Sequence, residues 1–157
     1  MSPGEMAAQH ESVALVETVG SILKGKGSNV WSLGPEATVY EAIAMMAEKG
    51  VGALLVVSQG QPVGIISERD YARKVILFGK SSKETLVREI MTDKVLCVRP
   101  DQTVDQCMAL MTDKRVRHLP VLDHKQVMGV ISIGDVVKEV ISEQQFVIAQ
   151  LEHYIHS

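Results

Sequence analysis

Two short segments of the sequence hold a serine and an aspartate at the same spacing and in the same context. Residues 64–70 read Gly-Ile-Ile-Ser-Glu-Arg-Asp, and residues 129–135 read Gly-Val-Ile-Ser-Ile-Gly-Asp. In each segment a short apolar run that ends in serine predicts a strand that stops and opens a helix at once. The serine then stands at the helix N-cap and the aspartate at the third helical position.

Two kinds of chemistry fit such a junction. Ser-x-x-Asp is close to a capping box, whose side chains satisfy the orphan N–H groups of the first helical turn. The same geometry suits a nucleoside phosphate, because a helix N-terminus attracts phosphate and an aspartate accepts hydrogen bonds from a ribose diol. For one segment alone, capping is the commoner reason for this pattern. Both interpretations stay open on the pattern alone.

The composition excludes several classes of partner. The chain has 157 residues and a formal net charge of −3, and only 4% of its residues are aromatic. A nucleic-acid surface normally shows a basic face or an aromatic platform, so we expect no nucleic-acid partner. No apolar run approaches the roughly 18 to 20 residues that span a bilayer, and no secretion signal is visible. We therefore expect a cytoplasmic protein with no membrane partner.

The residues offer no catalytic or metal-binding constellation. The chain contains no nucleophile beside a base, no metal cluster and no paired carboxylates, which indicates that the protein is not an enzyme. Cys97 and Cys107 lack C-x-x-C spacing, and both are predicted to be structural thiols in apolar surroundings. No dedicated metal site is predicted, although magnesium would accompany a polyphosphate ligand.

The two halves of the chain are copies of each other. A shift of 65 positions carries Ser67 onto Ser132 and Asp70 onto Asp135 without a gap. The shift also pairs Pro35 with Pro100, Thr38 with Thr103, Met46 with Met111 and Leu54 with Leu119. The strand and helix signals in each copy predict a β-α-β-β-α unit, which gives an α/β fold of the α+β type. A unit of about 60 residues is marginally stable alone, so we expect the copies to pack sheet to sheet around one cleft.

The remaining signals divide the chain. We predict a helix over 5–24, an extended piece at 30–33, a helix that starts at Thr38, a hairpin over 54–66 with its turn at 58–61, and a helix from Glu68 toward Phe78. The predicted bounds are 1–29 for an N-terminal helix and linker, 30–78 for the first repeat, 79–91 for a connector, 92–140 for the second repeat and 141–157 for a C-terminal helical extension.

The last helix is predicted to run from about Ile133 to Tyr154. It carries an apolar series with alternating spacings of three and four, formed by Val137, Val140, Gln144, Val147, Leu151 and Tyr154, with Ile141, Ile148 and Ile155 beside it. A stripe this wide can pack on its own domain, form a subunit contact, or do both. We expect a homodimer.

On these residues the chain resembles the cystathionine-β-synthase-type (CBS) domains, and the pair resembles a Bateman module that stands alone with short helical extensions. The resemblance covers about residues 30–140. It rests on the G-h-h-S-x-x-D junction and the Thr-Val-x-x-Ala/Cys helix start, each present twice, and on the Arg-His-Leu-Pro-Val-Leu-Asp strand. It implies that the cleft binds AMP, ADP or ATP, and in some members NAD(H) or S-adenosylmethionine.

The resemblance also implies two sets of binding residues. Asp135 would hold the ribose hydroxyls, Ser132 the ribose or phosphate, and the adenine would lie between Thr92, the Cys97 backbone and Val116 with Arg117. The full set for the repeat 2 pocket is Thr92, Cys97, Val116, Arg117, His118, Ile131, Ser132 and Asp135. For the repeat 1 pocket it is Gly27, Ser32, Val51, Gly52, Ala53, Ser67 and Asp70. The repeat 1 pocket lacks counterparts of Thr92, Arg117 and His118, so we expect the Asp135 pocket to bind more tightly.

A bound phosphate needs cations. The phosphate-facing candidates are Arg69, Arg73, Lys80 and Arg115, together with Arg117 and His118. The alternative is that the basic side chains are solvated surface charges, with Asp70 paired to Lys74, and that His118 is a core histidine. If the pKa of His118 lies near the ordinary value of about 6.5, AMP should bind more tightly at mildly acid pH.

Two functions remain. The first is a non-enzymatic sensor in which an adenine nucleotide, with AMP favoured over ADP, ATP or NAD(H), changes how the repeats or the subunits pack. The second is a structural or partner-docking module with vestigial pockets. The client protein is not identified by the sequence.

Overall fold

The computed structural model describes residues 17–27 and 29–156. They form two compact units, one made of residues 29–96 and one that combines residues 17–27 with residues 97–156. The predicted helix over 5–24 begins outside the described residues; within them Thr18 is extended and caps helix α1, which spans Val19–Lys26 and so ends two residues beyond the predicted Lys24. A segment at the start of the chain therefore belongs to the same unit as the second repeat.

The unit of residues 29–96 contains a three-stranded sheet, three α-helices and a π-helix. Its elements are β1 (Ser32–Leu33), α2 (Val39–Lys49), β2 (Ala53–Ser58), β3 (Gln61–Ser67), α3 (Glu68–Tyr71), a π-helix (Ala72–Ile76) and α4 (Val87–Ile90). The strand order is β1-β2-β3, with β1 parallel and β3 antiparallel to the central β2. This is the predicted β-α-β-β-α order with one further helix.

The second unit repeats this plan. Its elements are α1 (Val19–Lys26), α5 (Val104–Lys114), β4 (His118–Asp123), β5 (Gln126–Ser132) and α6 (Ile133–His156). Strands β4 and β5 are antiparallel, and Val98 makes a parallel bridge to Val121 where Leu33 pairs with Val56 in the first unit. The prediction of a duplicated α/β fold is confirmed.

The two hairpins turn in the same way with different residues. The central turn residues are Gln59 and Gly60 in the first hairpin and His124 and Lys125 in the second, and all four have positive φ. Positive φ at both central residues is the type I′ turn, whose twist matches that of the flanking strands. The predicted turn over 58–61 is thus confirmed, with Gln59 and Gly60 at its centre, and the same turn forms in repeat 2 without glycine.

A buried apolar cluster holds the first unit together. Its fully or almost fully buried members are Val39, Ala42, Met46, Leu54, Val56, Ile66, Val75, Val87 and Ile90. Val87 and Ile90 belong to α4, which lies inside the predicted connector 79–91 and packs into the core. The predicted helix toward Phe78 is α-helical only to Tyr71; it continues as a π-helix to Ile76, where Leu77 N–H donates to Ala72 C=O at 3.3 Å.

The two cysteines differ in environment. Cys107 is fully buried on α5, while Cys97 is exposed, and neither forms a disulfide. The prediction of apolar surroundings is therefore wrong for Cys97. Val98 is buried against β4, and adjacent residues of an extended chain point to opposite sides, which directs Cys97 outward.

Equivalent helices begin alike and end with different residues. The hydroxyls of Thr38 and Thr103 cap α2 and α5 by accepting the N–H groups of Glu41 and Gln106 at 3.1 and 3.2 Å. The left-handed residue that ends the helix is Gly50 after α2 (φ 66°) and Arg115 after α5 (φ 54°). Glycine adopts this conformation without steric cost, whereas an L-residue pays roughly 1–2 kcal/mol.

This difference gives a paired prediction. Gly50→Ala should lower the free energy of unfolding by about 1 kcal/mol. A Cβ at Gly50 would meet no neighbouring atom, so the cost is conformational. Arg115→Gly should have the opposite sign and raise that free energy by about 0.5–1 kcal/mol. Urea unfolding of the two variants checks both, and the same sign in both would contradict the explanation.

Candidate functional site

The first serine–aspartate junction, at the end of β3, forms a complete capping box. Ser67 Oγ accepts the N–H of Asp70 at 3.2 Å, and Asp70 Oδ2 accepts both the Ser67 N–H and the Ser67 hydroxyl at 3.0 Å. Lys74 lies one turn further along the chain, and its Nζ is 3.2 Å from Asp70 Oδ1. This junction therefore holds a capped helix start and an ion pair within a single segment.

The second junction, between β5 and α6, has the same cap but a different cation. Ser132 Oγ accepts the N–H of Asp135 at 3.2 Å, and Asp135 Oδ2 accepts the N–H of Ser132 at 2.8 Å. The same oxygen accepts a hydrogen bond from Lys26 Nζ at 2.6 Å, and Lys26 also donates to the backbone C=O of Val130 at 2.8 Å. The capping interpretation is thus confirmed at both junctions.

Capping does not preclude ligand binding at these aspartates. The side chains of Asp70 and Asp135 are 13% and 18% exposed. A carboxylate accepts hydrogen bonds at about four lone-pair sites, so a side chain that caps a helix can also accept from a ribose hydroxyl. Both aspartates therefore keep acceptor capacity beyond the cap.

The two junctions obtain their lysines from different places because one helix is longer than its equivalent. The N–H of Val19 bonds to Gln102 C=O and that of Gly20 to Pro100 C=O; in the first unit α4 makes the matching bonds to Ala37 and Pro35. Helix α1 therefore occupies in the second unit the place of α4 in the first. Helix α4 has four residues and α1 has eight. Lys26 lies on the additional turn.

Close packing fixes α1 against β5. A Cβ at Gly129 would lie 2.7 Å from Leu23 Cδ2, a separation that real Cβ atoms essentially never show, so a larger residue would force the Leu23 side chain or the helix to shift. Gly64 is in the same relation to the Met91 side chain after α4. The glycine in each G-h-h-S segment thus admits a helix close to the strand. At Gly129, this places Lys26 beside Asp135.

The electrostatics of the second junction favour ionised Asp135. Burial raises the pKa of this carboxyl, but the hydrogen bonds from Lys26 and Ser132 and the charge of Lys26 outweigh burial, so the pKa lies below its ordinary value. Glu139, one turn along α6, has a raised pKa because of burial and the nearby charge of Glu17. Lys26 thus pairs with Asp135, while Glu139 lies near another carboxyl group, that of Glu17.

Most of the predicted repeat 2 residues converge on this junction. His118 pairs with Ser132 across the hairpin, Arg117 C=O accepts the N–H of Ile133 at 2.8 Å, and Val116 precedes them. Ile131 lies opposite Leu119 and is fully buried. Cys97 precedes Val98, whose backbone bonds to Pro120 and Leu122 of β4.

The repeat 1 residues show the matching arrangement. Ala53 pairs with Ser67, and Gly52 C=O accepts the N–H of Glu68 at 3.1 Å. Val51 directly precedes them, with its N–H bonded to Met46 C=O at 3.1 Å. Ser32 is exposed on β1 opposite Leu55.

Two predicted residues lie in the other unit from their assigned aspartate. Thr92 belongs to the unit of residues 29–96, where its N–H and C=O each bond to Ile65 at 2.9 Å, whereas Asp135 belongs to the second unit. Gly27 ends α1 in the second unit, whereas Asp70 belongs to the first. The assignments of Thr92 and Gly27 therefore remain predictions, as do the binding roles of the other pocket residues.

The predicted cations differ in setting. Arg69 is half-buried in α3, and Arg73 and Lys80 are exposed. Arg115 is exposed at the left-handed end of α5. Asp70 and Lys74 do pair, as the surface-charge alternative expects. Lys26 was missed, because the predicted helix stopped at Lys24 and nothing in the local sequence links residue 26 to Asp135.

Both repeats match a known protein family. The model of the CBS domain family matches residues 19–76 and 87–142. The chain belongs to the CBS-domain family. It is 42% identical over 159 residues to the CBS domain-containing protein CBSX3, mitochondrial, of Arabidopsis thaliana, covering 95% of this chain and 77% of that one. The structure of a CBS-domain protein from Burkholderia ambifaria MC40-6 is 55% identical, with a TM-score of 0.78, and covers 81% of this CBS chain and 96% of its own.

Two further solved CBS structures are similar to this chain, one of a hexameric protein and one of a domain pair with bound ligands. The hexameric CBS-CP12 protein of bloom-forming cyanobacteria is 32% identical, with a TM-score of 0.72 over 78% of this chain and 71% of that one. The CBS domain pair of MJ0100, solved with 5′-methylthioadenosine and S-adenosyl-L-methionine, is 24% identical, with a TM-score of 0.73 over 82% of this chain and 98% of that one. The MJ0100 likeness establishes the shared fold.

Across residues 17–27 and 29–156, no three His, Cys, Asp or Glu side chains come together as a metal-binding group. Among the helices of this part of the chain, none combines the length and the apolar character needed to cross a membrane.

The ion pair at the second junction gives a pH-dependent prediction. Lys26→Met should lower the free energy of unfolding near pH 7 by about 1 kcal/mol, the upper range for a partly exposed pair. The folded-state pKa of Asp135 is depressed, so its contribution is complete above an unfolded pKa of about 3.9 and is lost as pH falls through the folded value. The difference between the wild type and Lys26→Met should therefore shrink below about pH 4.

Lys24→Met is the matched control, because Lys24 is an exposed lysine in the same last turn of α1. It should change stability by less than about 0.5 kcal/mol. Chemical denaturation from pH 3 to pH 7 measures both variants. Equal losses in the two variants would show that helix charge, and not the contact with Asp135, is responsible.

Proposed function

We propose that this CBS protein is a non-enzymatic, cytoplasmic regulatory module that binds an adenine nucleotide at its serine–aspartate junctions. AMP is the favoured ligand, and ADP, ATP and NAD(H) are the alternatives. The observation that carries the proposal is the repeated junction itself. In both copies a partly exposed aspartate, a serine hydroxyl and a helix N-terminus meet at the end of a strand.

Each part of the junction has a role in this proposal. The aspartate accepts hydrogen bonds from the ribose diol, since a carboxylate binds hydroxyl donors strongly. The serine and the first helical turn contact the ribose or the phosphate, where the positive end of the helix dipole attracts an anion. The adenosine ligands of the MJ0100 domain pair support this ligand class.

Regulation follows if the nucleotide binds two arrangements of the protein with different affinity. A ligand shifts a conformational equilibrium only by its differential binding free energy. We infer that nucleotide binding changes how the repeats or the subunits pack, and that a client protein responds to that change. The module thereby converts the concentration of an adenine nucleotide into a change of contact surface.

The second subunit is proposed to bind along α6. Five apolar side chains on this helix are 47–73% exposed: Val137, Ile141, Ile148, Leu151 and Ile155. Together with Gln144, they follow alternating spacings of four and three, the a/d pattern of a coiled coil. The spacing puts Ile141, Ile148 and Ile155 at the a positions, where β-branched residues favour two strands, and Val137, Gln144 and Leu151 at the d positions. We therefore propose a homodimer in which α6 packs on α6 of a second copy.

A structural or partner-docking module is the competing function. The complete capping of both helices favours it, because caps alone would account for both aspartates. In that case the junctions hold the fold and no nucleotide binds. Ligand titration separates the two functions.

The ligand prediction compares Asp135→Ala with Asp70→Ala by calorimetric titration of the full chain with AMP. Both changes remove one cap, which costs about 1 kcal/mol of stability. If the Asp135 pocket binds AMP more tightly, Asp135→Ala should raise the dissociation constant of the tighter site by tenfold or more. The reason is that losing a hydrogen bond to a charged group costs about 1.5–3 kcal/mol. Asp70→Ala should leave that constant within about threefold.

Failure has a clear form in this experiment. A wild-type protein that gives neither heat nor thermal stabilisation with AMP, ADP, ATP or NADH at millimolar concentration would refute nucleotide sensing and favour the docking module. Ligand at a hundred times its dissociation constant should stabilise the folded state by about 2.7 kcal/mol. A thermal melt therefore provides an independent reading.

The dimer prediction uses charge on the exposed face of α6. Ile148→Glu with Leu151→Glu should convert the dimer to a monomer in sedimentation velocity, because four glutamates would meet at the centre of the interface. Gln150→Glu, on another side of the helix, is the control and should leave the dimer intact. A wild-type monomer, or a doubly substituted dimer, would show that α6 is not the subunit contact.

A further inference from the structure

We propose that Lys26 is a specificity residue that allows the Asp135 pocket to accept a phosphorylated adenosine ligand. It does so by neutralising the ribose-binding carboxylate. This inference rests on the proposed function and adds to it a residue outside both predicted pocket sets. The ligand class is an adenosine monophosphate or polyphosphate, in contrast to neutral adenosine.

The first support is the geometry of the lysine. Its ammonium is 2.6 Å from Asp135 Oδ2 and 2.8 Å from the Val130 carbonyl, so two acceptors orient it. Its side chain remains 39% exposed. The positive charge is thus held at the carboxylate while one side of it borders the solvent from which a ligand arrives.

The second support is the charge of the junction. A ribose that hydrogen-bonds to an aspartate brings its 5′-phosphate close to that carboxylate, and the two anions repel each other. Glu139 adds a second carboxyl one turn along α6, near Glu17. Without Lys26, the junction would be acidic and would favour a neutral nucleoside. With Lys26, the charge of Asp135 is balanced.

The third support comes from the other repeat, which reaches the same balance by another route. There Lys74, four residues after Asp70, pairs with it at 3.2 Å. The 65-residue shift places Glu139 where Lys74 stands, so repeat 2 cannot take its cation from the same position. The longer helix α1 supplies one instead. Both junctions therefore pair their aspartate with one lysine, although the sequences that provide it are unrelated.

The experiment measures the ratio of AMP to adenosine affinity in the full-length protein. Isothermal titration of the wild type should give tighter binding of AMP. Lys26→Met should weaken the binding of AMP by about tenfold and that of adenosine by less than about threefold, so the preference for AMP over adenosine falls. Lys24→Met removes the same charge from the same helical turn and should retain the wild-type ratio.

A rescue variant tests whether the charge of the lysine is what matters. Lys26→Met combined with Glu139→Lys places a lysine four residues after Asp135, as Lys74 stands after Asp70. It should recover most of the lost preference for AMP. The effect of Lys26→Met should also diminish in high salt, because screening weakens interactions between partly exposed charges.

The outcomes separate this inference from the function on which it rests. A wild type that binds neither AMP nor adenosine contradicts the proposed function itself. A wild type that binds AMP with an unchanged ratio in Lys26→Met overturns the role of Lys26 and leaves the function standing. Tighter AMP binding in Lys26→Met, or no rescue by Glu139→Lys, overturns it as well, since Lys26 would then compete with the ligand or act without its charge.

Discussion

The structure depends on the capping of the helix that follows each hairpin. The helix begins directly where the second strand of the hairpin ends, and the N–H groups of its first turn need hydrogen-bond partners. Ser67 and Asp70 solve this for α3, and Ser132 and Asp135 for α6, by reciprocal bonds between side chain and backbone. The cost of an unpaired buried N–H group makes such pairing nearly obligatory. The same pairing places a carboxylate and a hydroxyl at the positive end of a helix. Stability and the proposed binding chemistry thus arise from one local arrangement.

Duplication creates two such junctions, and a difference in helix length then makes them unequal. Helices α1 and α4 are anchored by equivalent backbone bonds to residues 100–102 and 35–37. Because α1 continues for one more turn, it delivers Lys26 to Asp135, whereas Asp70 relies on Lys74 from its own segment. Near-identical scaffolds therefore surround their aspartates with different charges, which is a physical basis for unequal ligand preference.

Much of the local structure could be predicted because its causes are local. Thr38 and Thr103 start their helices by capping, and the shift of 65 positions identified the repeat. Less could be predicted where a distant segment determines the outcome. The predicted environment of Cys97 was wrong, because apolar neighbours in the sequence do not show which side of an extended chain faces the core. The packing of α4 was missed because four residues carry too little periodicity to indicate a helix.

The features of the candidate site can likewise be divided into those with local causes and those set by distant segments. The sequence by itself determined the doubled serine–aspartate junction and, through its repeated motifs, the family, and the resemblance to that family implied that Val116, Arg117 and His118 share a pocket with Ser132. Only the tertiary structure decided that α1 belongs to the unit of the second repeat and that Lys26 balances the charge of Asp135. The physical reason is that residues 26 and 135 meet through the packing of Leu23 on Gly129, a long-range contact that no local propensity or spacing encodes.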